Sequence, residues 1–245
     1  MKLSGKWWGK FCVAALLVSS CAEPPQYSII PSIEFDNIVF KDLADPSAYD
    51  SLIITIKFRD GDGDLGLDAS ETGAGSPYTD KIYGTLPDGS PITYKTRRTV
   101  KGYDTLPAFV KPYNCINWEV KTTTANKIDT FYFKLNPNHY NIFVDFYVGN
   151  GTGFKRFDWV TEFATYPTCG ITFDGRFPVL SKDLSQKTPL DGTIRYAMTS
   201  TGFLILFGNK PLKLGITIQD RALHRSNTVE TIPNPFTLQQ IKKSG

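Results

Sequence analysis

Apolar and polar residues alternate along several short stretches of this chain, and no stretch of comparable quality carries the spacing of a helix. Leu52, Ile54, Ile56 and Phe58 fall on one side of such a stretch, with Ser51, Thr55, Lys57 and Arg59 on the other. Near the end, Leu212, Leu214, Ile216 and Ile218 alternate with Lys213, Gly215, Thr217 and Gln219. Phe131, Phe133 and Leu135 and then Ile142, Val144, Phe146 and Val148 repeat the pattern on either side of Asn136-Pro137-Asn138, and Ile194, Tyr196 and Met198 add another. A period of two, filled with β-branched and aromatic residues, predicts half-buried strands.

The 16 prolines and 20 glycines punctuate these strands at turns. That combination predicts an all-β fold, an immunoglobulin-like β-sandwich with long loop insertions. Residues 66–113 depart from tight strand spacing and are rich in Gly, Pro, Ser, Thr and Tyr. They read as long hairpins or an extended loop, a length that in a compact domain is commonly functional or mobile. With no internal repeat and no clean linker, residues 33–245 are expected to form a single domain.

The first twenty residues follow different rules. Lys2, Lys6 and Lys10 precede an apolar run that ends in Val18-Ser19-Ser20-Cys21. A basic start, an apolar centre too short to span a bilayer and small residues before a cysteine predict a lipoprotein signal peptide over 1–20, the alternatives being an ordinary cleaved signal or a plain membrane anchor. The mature chain would begin at Cys21, acylated there with palmitate-type chains, with 21–32 as a tether. Losing three lysines and no acids leaves 24 basic residues against 24 acidic ones. A neutral surface argues against nucleic acid as a partner and leaves the lipid as the link to the membrane.

With Cys12 in the signal and Cys21 acylated, Cys115 and Cys169 remain. An exported protein permits a disulfide between them, the alternative being two buried thiols. Zinc is disfavoured, because His139 and His224 show no ligand spacing.

The sharpest motif is Phe58-Arg59-Asp60-Gly61-Asp62-Gly63-Asp64-Leu65-Gly66, directly after the best strand. Carboxylates on alternate residues, separated by glycines, can converge on a hard cation such as Ca²⁺. Glu71 even stands where a helical calcium loop places its bidentate ligand, but Leu65 replaces the required glycine and the flanks are strand-like. Asp220 ends the last clean strand as Asp60 ends the first, so it is a candidate fourth ligand beside Asp60, Asp62 and Asp64. Two alternatives stand next to calcium: an ion-pair network using Arg221 or Arg225, and a solvated Asp/Gly turn.

Catalytic constellations are thin. Two histidines and the lack of a Gly-x-Ser-x-Gly elbow disfavour a nucleophilic triad. A glycosidase pair would fall to Glu119 and Glu162, which sit near Trp118 and Trp159, but such carboxylates are more often strand-edge partners. No enzyme is expected. Tyr78, Tyr83, Tyr94, Tyr103 and Tyr113 lie in or beside the long loop and are candidate interaction aromatics, either anchoring a protein interface or covering sheet edges.

Several segments taken together carry a resemblance: the lipobox, Phe58–Gly66, Asn114-Cys115-Ile116-Asn117-Trp118-Glu119, Gly175-Arg176-Phe177-Pro178, and Asp220-Arg221-Ala222-Leu223 with Ser226-Asn227. The chain resembles uncharacterised envelope lipoproteins of Bacteroidota. Its closing segment is similar to the last strand of bacterial immunoglobulin-like and fibronectin-like domains, with Leu223-His224-Arg225 replacing the usual Gly-Asn. The resemblance implies a lipid-anchored outer-membrane protein without a catalytic residue. Surface-exposed members of that group carry several acidic residues after the acylated cysteine. Glu23 alone here favours the periplasmic face. The expected function is a non-enzymatic structural or protein-interaction module of an outer-membrane complex. The alternative is a cell-surface glycan-binding lipoprotein of a polysaccharide uptake system, with Trp118 and Trp159 as stacking platforms.

Overall fold

A computed structural model describes residues 25–43, 48–122, 126–164, 172–231 and 235–244. The expected signal peptide, Cys21 and Cys169 lie outside the described residues.

The chain is mostly strand. β1 (Ser32–Asp42), β2 (Asp50–Asp60), β8 (Leu190–Ser200) and β11 (Lys242–Ser244) form one sheet in the order β11-β1-β2-β8. A second sheet runs β10-β9-β6-β7, from β6 (Ile142–Gly149), β7 (Phe154–Arg156), β9 (Leu212–Ile218) and β10 (Val229–Glu230). A third, of order β3-β5-β4, uses β3 (Lys81–Tyr83), β4 (Trp118–Thr122) and β5 (Ile128–Leu135). The helices are single turns or little more: α1 (Tyr94–Thr99), α2 (Tyr113–Ile116), α3 (Trp159–Glu162) and α4 (Phe203–Leu206).

All five alternating stretches are strands; the apolar sides of β2, β6, β8 and β9 point inward as the period of two requires, while in β5 Phe133 is buried and Leu135 exposed. Ile54 and Ile56 from β2, Phe146 from β6, and Leu214 and Ile216 from β9 are all fully buried in a single core shared by the two four-stranded sheets. Phe203 and Phe207, in and just after α4, close it, with ring centroids 6.3 and 5.7 Å from Phe146. Each such side chain contributes roughly 1.5–3 kcal/mol by leaving water. That burial, rather than local propensity, fixes the sheets.

β1 escaped the alternation rule for a visible reason. Its register against β2 shifts between Phe35 and Asn37, a bulge. Inward positions therefore change phase, from Ile33 and Phe35 to Ile38 and Phe40, and no single period of two covers the strand. The long segment 66–113 is not structureless either. It supplies β3, α1 and the first residue of α2, and with β4 and β5 it builds a lobe around a smaller cluster of Ile92, Trp118 and Tyr132. Among the described residues, no helix is long and apolar enough to cross a membrane.

Candidate metal centre and contact lobe

β2 and β9 belong to different sheets, yet their C-terminal ends meet. One carboxylate oxygen from each of Asp60, Asp64 and Asp220 lies within 4.8 Å of the others, a grouping that can hold a metal ion. Asp60 is fully buried and Asp220 almost so. The turn after β2 doubles back on itself: Asp64 N–H donates to Asp60 Oδ2 at 3.1 Å. The turn after β9 does the same, with His224 N–H donating to Asp220 Oδ1 at 2.7 Å. A bond from Ala222 N–H to Asp64 Oδ2 (3.1 Å) joins the two turns.

Glycine makes the first turn possible. Gly63 and Gly66 have φ of 70° and 103°, the left-handed region. A Cβ on Gly66 would lie 2.2 Å from the Pro178 carbonyl oxygen, and one on Gly63 2.2 Å from that of Thr188. On its other flank the turn meets the segment that leads into β1, where Gly61 N–H donates to the Ser28 carbonyl at 2.9 Å. The acidic turn and that segment therefore share one pole of the molecule.

The electrostatics are strained. Burial, then the charges of Asp64, Asp62 and Asp220, push the Asp60 carboxyl from its ordinary 3.8 up to about 7. Burial and then Asp220 and Asp62 raise Asp64. Burial raises Asp220 despite its bonds from His224. Oδ1 of Asp60, of Asp62 and of Asp64 is buried without a hydrogen-bond partner. A buried charge without a partner is among the costliest features a fold can carry.

The arginine network expected as an alternative is absent at this point among the described residues. Arg221 instead pairs with Glu71 through both carboxylate oxygens, one contact measuring 2.8 Å, and donates to the Gly66 carbonyl. Glu71, a possible twelfth-position ligand, is thereby committed elsewhere, and its carboxyl is held below its usual range by Arg221. Arg225 binds Gln219 and lies over the Phe143 ring. Asp62, expected as a ligand, falls outside the group of three and has Lys187 at 3.6 Å. The reason is geometric. The turn folds Asp64 back onto Asp60, so those two converge while Asp62 at its crest reaches Lys187. His224, with Nδ1 2.9 Å from Asp220 Oδ2, is the basic neighbour that spacing alone did not identify.

The lobe carries the other candidate surface. Ile82, Tyr83, Val100, Phe109, Val110, Tyr113, Val120, Ile128 and Leu135 all lie between positions 82 and 135. They are nine of the seventeen large exposed apolar side chains among the described residues. A groove of about 610 Å³ takes three of them, Phe109, Val120 and Leu135, into its lining, with Lys81, Asn114, Glu119 and others. At its rim, Glu119 receives hydrogen bonds from Lys81 (2.9 Å) and from Tyr83, and forms an ion pair with Lys121 (2.8 Å). Burial alone would raise the Glu119 carboxyl, but the bonds from Lys121, Tyr83 and Lys81 outweigh it and hold it at about 2.

Of the candidate tyrosines, Tyr83 and Tyr113 are exposed, while Tyr94 and Tyr103 pack half-buried against the small cluster. Tyr78 is a correction. It is buried, and its hydroxyl donates to the Arg221 carbonyl at 2.9 Å, tying the long loop to the turn after β9. The stacking platforms are corrected too. Trp118 and Trp159 are 2 % and 8 % exposed, sunk among Tyr94 and Tyr132 and among Phe146 and Phe173 respectively. Cys115 has its sulfur 3.4 Å from the Ala164 carbonyl oxygen, while its expected partner Cys169 lies outside the described residues. Arg176 explains one quoted motif, since it donates to the carbonyls of Tyr78, His139 and Asp68 and so pins the loop. No protein family, curated protein or solved structure matches this chain.

Proposed function

We propose that this chain is a lipid-anchored lipoprotein of the bacterial outer membrane, acting as a non-enzymatic protein-interaction module. Acyl chains on Cys21 hold it to the membrane, on the periplasmic face. Its two four-stranded sheets act as a rigid immunoglobulin-like sandwich. The lobe formed by residues 66–135 contacts a protein of an outer-membrane complex. The observation that carries this reading is the concentration of exposed apolar side chains on that lobe. Scattered apolar residues need no explanation, but a clustered set beside a groove marks a contact surface. Its rim mixes Lys81 and Lys121 with Glu119 and Asp80, which suits a polar-rimmed protein interface rather than a nucleic acid. The glycan-binding alternative loses ground, because the tryptophans it relied on offer no open face.

The test is photo-crosslinking in native membranes, with a photoreactive residue at Val110 and a control at Leu184, exposed and far along the chain. A defined membrane-protein adduct at Val110 that disappears when Val120→Asp is added supports the reading. Adducts equal at both positions, or none at either, refute it. Mass spectrometry of the N-terminal peptide tests the anchor, since an unmodified residue 21 removes it.

A further inference from the structure

We propose that Asp60, Asp64 and Asp220 bind one Ca²⁺ ion that fastens the end of β2 to the end of β9, and so locks the two four-stranded sheets together at the pole where the segment leading into β1 lies.

Three independent observations lead there. The donor atoms already converge from two sheets, all within 4.8 Å of one another, so each can reach a single ion at the 2.3–2.6 Å typical of calcium and oxygen. Asp60 is fully buried, and its Oδ1 has no donor. A carboxylate oxygen in that state needs a proton or a cation, and a cation satisfies the neighbouring orphan oxygen of Asp64 as well. The neighbouring cations leave Asp60 and Asp64 unpaired: Arg221 is engaged by Glu71, Arg225 by Gln219 and Lys187 by Asp62, and His224 reaches only Asp220.

Donor chemistry selects the ion. Three carboxylates with no sulfur or imidazole in the group suit a hard cation rather than zinc or copper. Mg²⁺ surrenders its water reluctantly, and a site whose walls are buried favours the ion that accepts an all-protein oxygen shell. Binding also has a mechanical consequence. Asp64 is joined to Ala222, and Gly61 to Ser28, so holding the cluster together holds the segment before β1 against the same turn.

The experiment is calorimetry on the lipidated full-length protein in detergent micelles, stripped with chelator and then titrated with CaCl₂, MgCl₂ or ZnCl₂. Calcium at about a hundred times its Kd raises Tm by about 5–10 °C, and magnesium at equal concentration raises it less. Asp64→Asn and Asp220→Asn lose the calcium response. Glu71→Gln keeps it, because Glu71 is committed to Arg221 and not to the ion. A wild-type Tm indifferent to calcium overturns the proposal, as does a response that survives in both Asn variants. If the Asn variants give no folding transition, equilibrium dialysis of the wild type with ⁴⁵Ca²⁺ decides. One ion per chain upholds the site, and none bound refutes it.

Discussion

Replacing Asp60 by asparagine should stabilise the cation-free protein at alkaline pH, an unusual direction for a fully buried residue. The folded Asp60 carboxyl titrates at about 7, against an ordinary 3.8. Between those values the folded state keeps a proton that the unfolded chain has lost. Stability is therefore fully present below pH 3.8 and drains away as pH rises through 7. At about 1.4 kcal/mol per pH unit, the ionised, cation-free fold is weakened by about 4 kcal/mol. Asparagine removes that charge, keeps an oxygen for the Asp64 N–H and offers its own N–H to the orphan oxygens of Asp62 and Asp64. Relaxation of the turn absorbs part of the difference, leaving a gain of about 2–4 kcal/mol at pH 8.5. For a domain of this size that is about 4–16 °C in Tm. Urea unfolding in chelator at pH 8.5 and pH 4 reads it directly, since the advantage should shrink toward zero at the lower pH. With saturating calcium the order reverses, because the variant has lost a ligand. An Asn variant weaker than wild type in chelator at pH 8.5, or a difference that ignores pH, would refute the claim that this cluster carries uncompensated charge.

Three further outcomes follow from the same geometry. Glu119→Gln, which breaks the Lys81–Glu119–Lys121 network, should cost about 1–2 kcal/mol at pH 7 after allowance for solvent screening. Because the Glu119 carboxyl is held at about 2, the wild-type advantage should be lost only as pH falls from 4.5 through 2, as a pH series of urea curves will show. Gly66→Ala meets both a φ of 103° and the Pro178 carbonyl oxygen 2.2 Å from the new Cβ. It should lower stability by about 2 kcal/mol or more, measured as a fall in urea midpoint. If Cys115 and Cys169 are bridged, the loop of about 55 residues between them adds about 4 kcal/mol. Reducing the protein should then lower Tm, and a Cys115→Ser variant should match the reduced wild type. An unchanged Tm on reduction removes the bridge.

Much of the strand content was legible because burial on one face of a sheet imposes a strict period of two. β2, β6, β8 and β9 obey it, whereas β5 buries neighbouring Tyr132 and Phe133 and exposes Leu135. β1 did not, since a bulge shifted the inward phase midway and broke the only signal available. The lobe was legible as a long loop but not as a structure. β3 has three residues and α2 four, too few to carry any period. Asp60, Asp64 and Asp220 were readable as candidates from strand-end position and glycine spacing. Their true company was not: Arg221 turning to Glu71 and Lys187 to Asp62 depend on which loops meet at the pole, and His224 turning to Asp220 depends on how its own turn folds back. Trp118 and Trp159 failed as platforms for a related reason. An aromatic residue looks the same in sequence whether its ring faces solvent or the core.

Taken alone, the sequence determined an all-β chain with an acidic, glycine-spaced turn, because these depend on residue type and near-neighbour spacing. Tertiary structure decided which strand ends touch, which cations were already committed and which tyrosines stayed exposed. The contacts that decide most, Arg221 with Glu71 and Ala222 with Asp64, join residues 150 and 158 positions apart. The free energy of a buried carboxylate is set by what lies within a few ångströms of it, and the linear order of the chain does not contain that distance.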